Sequence, residues 1–439
     1  MIVTMIGAGS VGFTRRLLMD ILAVPEFGDT EFHLMDIDAE RLEMVTNICR
    51  KMIGDAKISA KVTPHLDRRE SLKGAKYVFC TIRQGMLEAF VKDIEIPLKY
   101  GVDQCVGDTL GPGGIFYALR TIPELLDIAA DMREVCPEAL LMNYANPMAM
   151  NTWALNRAGG IRVLGLCHGV QGGEHEIATA LGIPKEELDF VCAGINHQTW
   201  FIKIGHKGRD MLPRILEGFE NNPELREKEP CRIDMIRRFG YYSTESNGHL
   251  SEYLPWYRKR PNEIEQWIYR GVWIGGETGG YLRHCRETQF YFRENYQKWM
   301  RGELEQIKLG ERSQEHGSYI MEGLETGRRY RGCFNVANTN LISNLPHGCT
   351  VELPCYVDYL GIQPVQVGDL PMQCAAVCRA SVTVQEMVVE AALTGNKDLV
   401  KQAMLMDPLT SAVCTTDEVW KMTEEMFHAY PGLLPEFGL

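Results

Sequence analysis

"VTMIGAGSVGFTRRLLMDIL", residues 3–22, runs from an apolar strand through a glycine turn into a stretch of helical period. Gly7, Gly9 and Gly12 complete the pattern G-x-G-x-x-G. The first glycine allows a tight turn, the second lets backbone approach a pyrophosphate, and the third permits close packing of helix on sheet. A helix that starts directly after such a turn offers unpaired N–H groups to phosphate. A second apolar strand, "TEFHLMDID" at residues 30–38, ends at Asp36. That is about the 20-residue distance at which an acid accepts the ribose hydroxyls of NAD and repels the extra phosphate of NADP. Strand, turn, helix and acid in this order predict an NAD site. Arg41, in "DAERLEMV", reads as helix surface.

Outward from this unit, "ISAKVTP", "AKYVFCTI", "EALLMNYA" and "RVLGLC" read as further strands, separated by helical stretches such as "GIFYALRTIPELLDIAADMREV". Strands alternating with helices predict an α/β fold with a doubly wound, mostly parallel Rossmann sheet. "NVANTNLISNLPHGCTVELPCYVDYLGIQP" reads as strands and turns of a second, α+β domain, and the stretches after it as packing helices. The expected division is an NAD-binding domain over 1–170 and a substrate, metal and oligomerisation domain over 171–439.

Composition narrows the class. The 439 residues are 45% apolar and 24% charged, as in soluble globular proteins. No apolar run approaches the roughly 20 residues that span a bilayer, and Met1 leads straight into a strand, so neither a membrane segment nor a leader is expected. A net charge of −12 argues against nucleic acid as a partner. The short basic clusters "RRFGYY" and "YRKRPNE" read as solvated surface. Fourteen scattered cysteines without a CxxC pair predict reduced, mostly buried thiols and a cytoplasmic location.

In doubly wound sheets, ligands bind beyond the carboxyl ends of the strands. Those ends carry Thr81 to Gln84, Asn143 to Pro147 and the pair Cys167-His168. Cys167 and His197 are competent ligands for a divalent ion in an open catalytic site, or else a buried thiol and a satisfied imidazole. His168 has the chemistry for proton transfer near neutrality, or else is hydrogen-bonded at a domain boundary. Asn146 can bind a hydroxyl or cap the helix that follows. Asp108, in "VGDTLGPGGI", is a substrate-side carboxylate or part of a turn. "GYYSTESNGHLSEYLPWY", residues 240–257, crowds Glu245, Ser246, His249, Glu252 and Tyr253 into what reads as a polar-aromatic loop.

Taken together, "IGAGS", "LMDIDAERLE", "DTLGPGGI", "GLCHGVQG", "CAGINH", "STES" and "NLPHGCTVELPCYVD" resemble glycoside hydrolase family 4, the NAD- and manganese-dependent α-glycosidases. The strongest likeness is to the α-galactosidase (melibiase) branch, and it spans nearly the whole chain. The resemblance implies that NAD⁺ takes a hydride from C3 of the sugar, that Mn²⁺ polarises the resulting ketone, and that a base removes the C2 proton. The glycosidic oxygen then leaves C1 by elimination, water adds, and the hydride returns. It further implies Cys167 and His197 as Mn²⁺ ligands, Asn146 as a substrate residue, Gly7, Gly9, Ser10 and Asp36 as NAD residues, and His168 as proton donor to the leaving group. The C2 base falls near Ser246, with Glu245, His249 and Tyr253 as neighbouring candidates. Arg83 is a cation for a uronate or a contact to an NAD phosphate. Gly169 departs from the serine usual in the melibiase branch and leaves α-glucosides, α-galacturonides and α-glucuronides as alternative substrates. A homo-oligomer, dimer or tetramer, is implied as well. An NAD-dependent sugar dehydrogenase on the lactate/malate dehydrogenase type of sheet is the alternative of a different class.

Overall fold

The computed structural model describes residues 1–304 and 307–437. The first strands are β1 (Ile2–Ile6), β2 (Glu31–Met35), β3 (Lys61–His65), β4 (Tyr77–Cys80), β5 (Leu140–Asn143) and β6 (Arg162–Gly165). They pair in parallel in the spatial order β3-β2-β1-β4-β5-β6. This is the doubly wound order expected from the glycine unit, with the chain reversing direction across the sheet between β1 and β4. The inner strands β1, β2, β4 and β5 are buried on both faces because helices cover both, whereas the edge strand β3 is largely open to solvent. Val3, Phe32, Leu34, Phe79 and Leu141 are accordingly lost to solvent.

Beyond the parallel half come β7 (Leu188–Ile195), β8 (Gln198–His206), the short β9 (Arg209–Asp210) and β10 (Tyr242–Ser243). Three longer-range partners follow: β11 (Tyr330–Ala337), β12 (Thr350–Asp358) and β13 (Gly361–Pro364). These pair antiparallel and extend the same sheet past β6 in the order β6-β11-β12-β7-β8-β10. The seam is narrow, with Asn335 opposite Gly165 and Glu352 opposite Gly194 as the registered pairs. Helices Met372–Thr394 and Thr416–Ala429 pack as expected, burying Val382, Val388, Val419 and Met422. No helix among the described residues is long and apolar enough to cross a membrane. All fourteen cysteines are free thiols and twelve are buried.

Two expectations are corrected. The polar-aromatic stretch at 240–257 is no loop, because after β10 it forms the helix Asn247–Tyr253 with every residue buried. Its polar groups are tolerated inside because they are partnered there. Ser246 caps the helix by accepting from the His249 N–H. The Glu252 carboxylate accepts from the N–H groups of Cys105, Val106 and Gly107 at 2.8, 3.0 and 3.2 Å. The second correction concerns "YRKRPNE". Arg258 is 1% exposed and donates to the Asp103 carbonyl at 2.8 Å and to the Asp103 carboxylate. In "RRFGYY" the arginines behave as expected, with Arg237 and Arg238 on the surface, paired to Glu220 and Asp234, whereas Tyr242 is fully buried.

Candidate functional site

The glycine turn is built as its sequence requires. Gly7 has φ +82°, and a Cβ there would stand 2.9 Å from the Thr81 carbonyl carbon. Gly9 donates its N–H to Asp36 Oδ2 at 2.7 Å, and a Cβ on Gly9 would reach the same oxygen. The second glycine thus makes room for Asp36. Gly12 differs from expectation, since a Cβ there would meet nothing within 4 Å. It therefore has no role in close helix–sheet packing, and with Ser10 it lines the crevice. Asp36 Oδ1 also accepts from the Asp38 N–H at 3.0 Å, which fixes the carboxylate at the end of β2. Arg41, read as helix surface, lines the crevice beside it.

From this turn a crevice of about 1230 Å³ runs past Thr81, Arg83 and Asn146 to Cys167, His168, His197, Glu245 and His249. Topology brings the last group together. Cys167 lies just past the end of β6, and His197 lies in the tight turn between β7 and β8. Because β11 and β12 bridge β6 to β7, both ends open on one side of the sheet. His197 adopts φ +62°, a left-handed conformation uncommon outside glycine and found at strained functional positions.

Oε2 of Glu245 is 2.7 Å from Nε2 of His197 and 3.7 Å from Sγ of Cys167. The three donor atoms lie within 4.8 Å of one another. The far side of the imidazole is anchored, with Nδ1 3.1 Å from the Tyr253 hydroxyl and 3.2 Å from Oγ1 of Thr109. Thr109 donates onward to Asp108 at 3.1 Å, so Nδ1–H donates to Thr109 and Nε2 is turned toward Glu245 and Cys167. Such an outer partner on a ligating histidine fixes its tautomer and ring direction.

The charges of this cluster fit a divalent cation. Burial and the Glu245 carboxylate push the Cys167 thiol up to about 11. Burial works to raise the Glu245 carboxyl as well, but the adjacent His197 imidazole outweighs it and holds the carboxyl well below the usual range. Burial likewise disfavours charge on His197, yet Glu245 and Cys167 raise it well above an ordinary imidazole. Two potential anions and one imidazole, buried together, favour a cation that lets both anions ionise. A sulfur, a nitrogen and a carboxylate oxygen suit a first-row transition ion better than calcium or magnesium.

Around this centre, Asn146 donates to Asp108 Oδ2 at 3.3 Å and does not cap the helix Met148–Ala154, whose cap position is Pro147. Asp108 is buried, with its carboxylate between Asn146, Thr109 and Arg83. Arg83 turns to within 3.8 Å of Asp108 and stacks over Phe90, Tyr117 and Tyr281. His168 Nδ1 faces Glu315 Oε1 at 3.4 Å, and that hydrogen bond raises the imidazole to about 9 against the opposing effect of burial. Of the four candidates for a base, Glu245 and His249 line the crevice, whereas Ser246 and Tyr253 stand behind them. Burial lowers His249 to about 4, so its ring is neutral near pH 7. Its Nδ1 meets the Ser246 hydroxyl at 2.7 Å.

Sequence reading missed the far wall. Tyr291, Phe292 and Trp299 of the helix Tyr291–Arg301 line the crevice over the glycine turn, with Arg15 stacked 4.4 Å above Trp299. The aromatic spacing in "YFRENYQKWM" was the available signal. It also missed Glu315 and Thr109, whose roles depend on contacts distant in sequence.

Comparisons with known proteins agree along the whole chain. Residues 2–183 match the model of the family 4 glycosyl hydrolases, and residues 192–410 match that of the family 4 C-terminal domain. An α-galactosidase of Rhizobium meliloti is 51% identical over 99% of this chain and 89% of its own length. An α-galactosidase of Bacillus subtilis is 37% identical over 99% of both chains. A 6-phospho-β-glucosidase of Thermotoga maritima, solved with manganese, NAD⁺ and glucose-6-phosphate, shares the fold with a TM-score of 0.81 over 100% of both chains at 23% identity.

Proposed function

The chain belongs to glycoside hydrolase family 4, and from that premise we propose that it hydrolyses α-galactosides with NAD⁺ and Mn²⁺ as cofactors. The observation that carries the reading is the continuous crevice joining the glycine turn and Asp36 to the Cys167–His197 pair. A plain dehydrogenase has no use for that pair. When bound, the dinucleotide supplies a hydride acceptor for C3 and the ion supplies the charge that polarises the oxygen there.

The protein's own groups do the rest. Asp36 accepts the ribose hydroxyls, while Gly7, Gly9 and Ser10 form the side-chain-poor turn along which the diphosphate lies. Cys167 and His197 hold the ion. Asn146 and Asp108, already bonded to each other, face the sugar hydroxyls. His249 takes the C2 proton, because it reaches the crevice as a neutral imidazole with Ser246 orienting it. His168 delivers a proton to the departing oxygen through Nε2, since Nδ1 is engaged by Glu315. Arg83 contributes to the substrate side of the crevice and keeps Asp108 in place.

A neutral galactoside is favoured over a uronide because Arg83, the cation the sequence offers for a carboxylate, is already opposed by Asp108. The α-galactosidases at 51% and 37% identity support the same sugar. The division into an NAD half at 1–170 and a substrate and metal half at 171–439 belongs to this reading. So do a cytoplasmic location and a homo-oligomer, for which the exposed Tyr359, Leu360 and Met372 offer apolar surface.

The test is reconstitution. Enzyme stripped with EDTA and freed of dinucleotide should cleave p-nitrophenyl α-galactoside only when NAD⁺ and Mn²⁺ are both returned, with no net NADH. Cleavage by the stripped enzyme would overturn the mechanism. Faster turnover of the α-glucoside, α-galacturonide or α-glucuronide in the same panel would overturn the sugar.

A further inference from the structure

Gly169 and Glu245 lie 76 positions apart in the sequence, and the fold brings them into contact. An ideal Cβ on Gly169 would stand 3.1 Å from both Cδ and Oε2 of the Glu245 carboxyl group. Any side chain at 169 therefore crowds the carboxylate that points at Cys167 and His197. Glycine at 169 leaves it room.

Several features hold the carboxylate on that spot. Its backbone carbonyl accepts from Nη1 of Arg232 at 3.1 Å. Arg232 is itself fully buried and pinned by Glu229 at 2.5 Å and Glu176 at 2.8 Å. Gly169 opens the helix Gly169–Leu181, so the carboxylate also sits at a helix N-terminus, where negative charge is favoured. The same Oε2 atom faces both the imidazole nitrogen and the sulfur. With an anchored imidazole and a buried thiol as the other donors, this is the geometry of a ligand set sharing one centre.

We propose that Glu245 is the third protein ligand of the metal ion, and that glycine at position 169 is the feature of this chain that admits it. The inference rests on the reading that Cys167 and His197 hold the ion. A carboxylate committed to the metal is unavailable to take the C2 proton, which leaves that task to a different group. The three-ligand centre also carries one more negative charge than a Cys–His pair. It should therefore hold its ion more tightly and leave fewer positions for water and sugar oxygens.

Mn²⁺ affinity of the NAD⁺-loaded enzyme, read from the electron paramagnetic resonance signal of free Mn²⁺, tests this without reference to turnover. The variants are Cys167→Ser, Glu245→Gln, Glu245→Asp, Gly169→Ala and the double variant Gly169→Ala/Glu245→Gln. Thermal unfolding and NAD⁺ affinity verify that each is folded. Loss of even an outer-shell partner weakens metal binding about 10- to 100-fold, so Glu245→Gln should weaken it at least about tenfold. Glu245→Asp, which withdraws the carboxylate by one methylene, should lose affinity too and serves if the glutamine variant does not fold. Gly169→Ala should weaken binding in the same direction, and the double variant should be no weaker than Glu245→Gln alone. Wild-type affinity in the Glu245 variants alongside a loss in Cys167→Ser would overturn the third ligand while leaving the metal centre standing. Wild-type affinity in Cys167→Ser would overturn the metal centre itself and the proposal with it. Fully additive losses in the double variant would overturn the part assigned to Gly169.

Discussion

Glu252 offers a sharp test of how the site is held. Its carboxylate is buried and takes three backbone N–H groups from Cys105, Val106 and Gly107, the turn that leads into Asp108 and Thr109. Burial nonetheless outweighs those bonds and the nearby Arg258, pushing the carboxyl from 4.5 to about 7. A carboxyl with a raised folded-state pKa binds its proton more tightly when folded. Its contribution to stability is therefore largest below the unfolded value and falls as pH rises toward the folded one. The gap between 4.5 and about 7 corresponds to about 3 kcal/mol lost between roughly pH 4.5 and pH 8. In Glu252→Gln this titration disappears. The amide oxygen can still serve two of the N–H groups, but its NH₂ meets the third, which costs about 1–3 kcal/mol at every pH. Glu252→Gln should thus be less stable than the parent at pH 5 and equal or more stable at pH 8. The assay is urea unfolding of both proteins across that range, in which all other titrating groups cancel in the difference. A difference that stays constant from pH 5 to pH 8 would show that Glu252 does not titrate in this range in the folded protein.

Other expectations are more direct. Gly7→Ala forces a side chain into the left-handed region, at about 1–2 kcal/mol, and against the Thr81 backbone, at about 1–3 kcal/mol. Thermal unfolding should show a loss of about 2–5 kcal/mol, together with weakened NAD⁺ binding in calorimetry. Asp36→Ala removes a charge-assisted acceptor and the repulsion of a 2′-phosphate, so NAD⁺ affinity should fall about tenfold and preference over NADP⁺ should shrink. His249→Ala should bind NAD⁺ and Mn²⁺ like the parent in calorimetry yet lose exchange of the C2 proton by at least about 100-fold, the scale of general base catalysis.

The parallel half of the fold was legible because its signals are local. Gly7, Gly9 and Asp36 act within one strand-turn-helix-strand unit, and β1 to β6 lie where their apolar runs stand. Cys167 and His197 were legible as chemistry, and their meeting followed only from the β11–β12 bridge, which no local pattern encodes. The helix Asn247–Tyr253 was hidden because its Ser246, His249 and Glu252 are polar, and composition cannot tell a solvated loop from a buried segment whose partners come from residues 105–109. Arg258 was hidden for the same reason, since its counter-charge Asp103 lies far away in sequence. Gly169 was visible as a departure from a pattern, but its meaning depended on the position of the Glu245 carboxyl. Gly12 shows the reverse: the motif assigned it a packing duty, and the open space beside it shows that the helix does not need one.

Breaking the glycosidic bond by elimination after oxidation at C3 leaves a mark on the product. Hydrolysis of an α-galactoside in D₂O, with NAD⁺ and Mn²⁺ present, should give galactose carrying deuterium at C2 by NMR. Galactose that keeps only protium at C2 after complete turnover would contradict elimination.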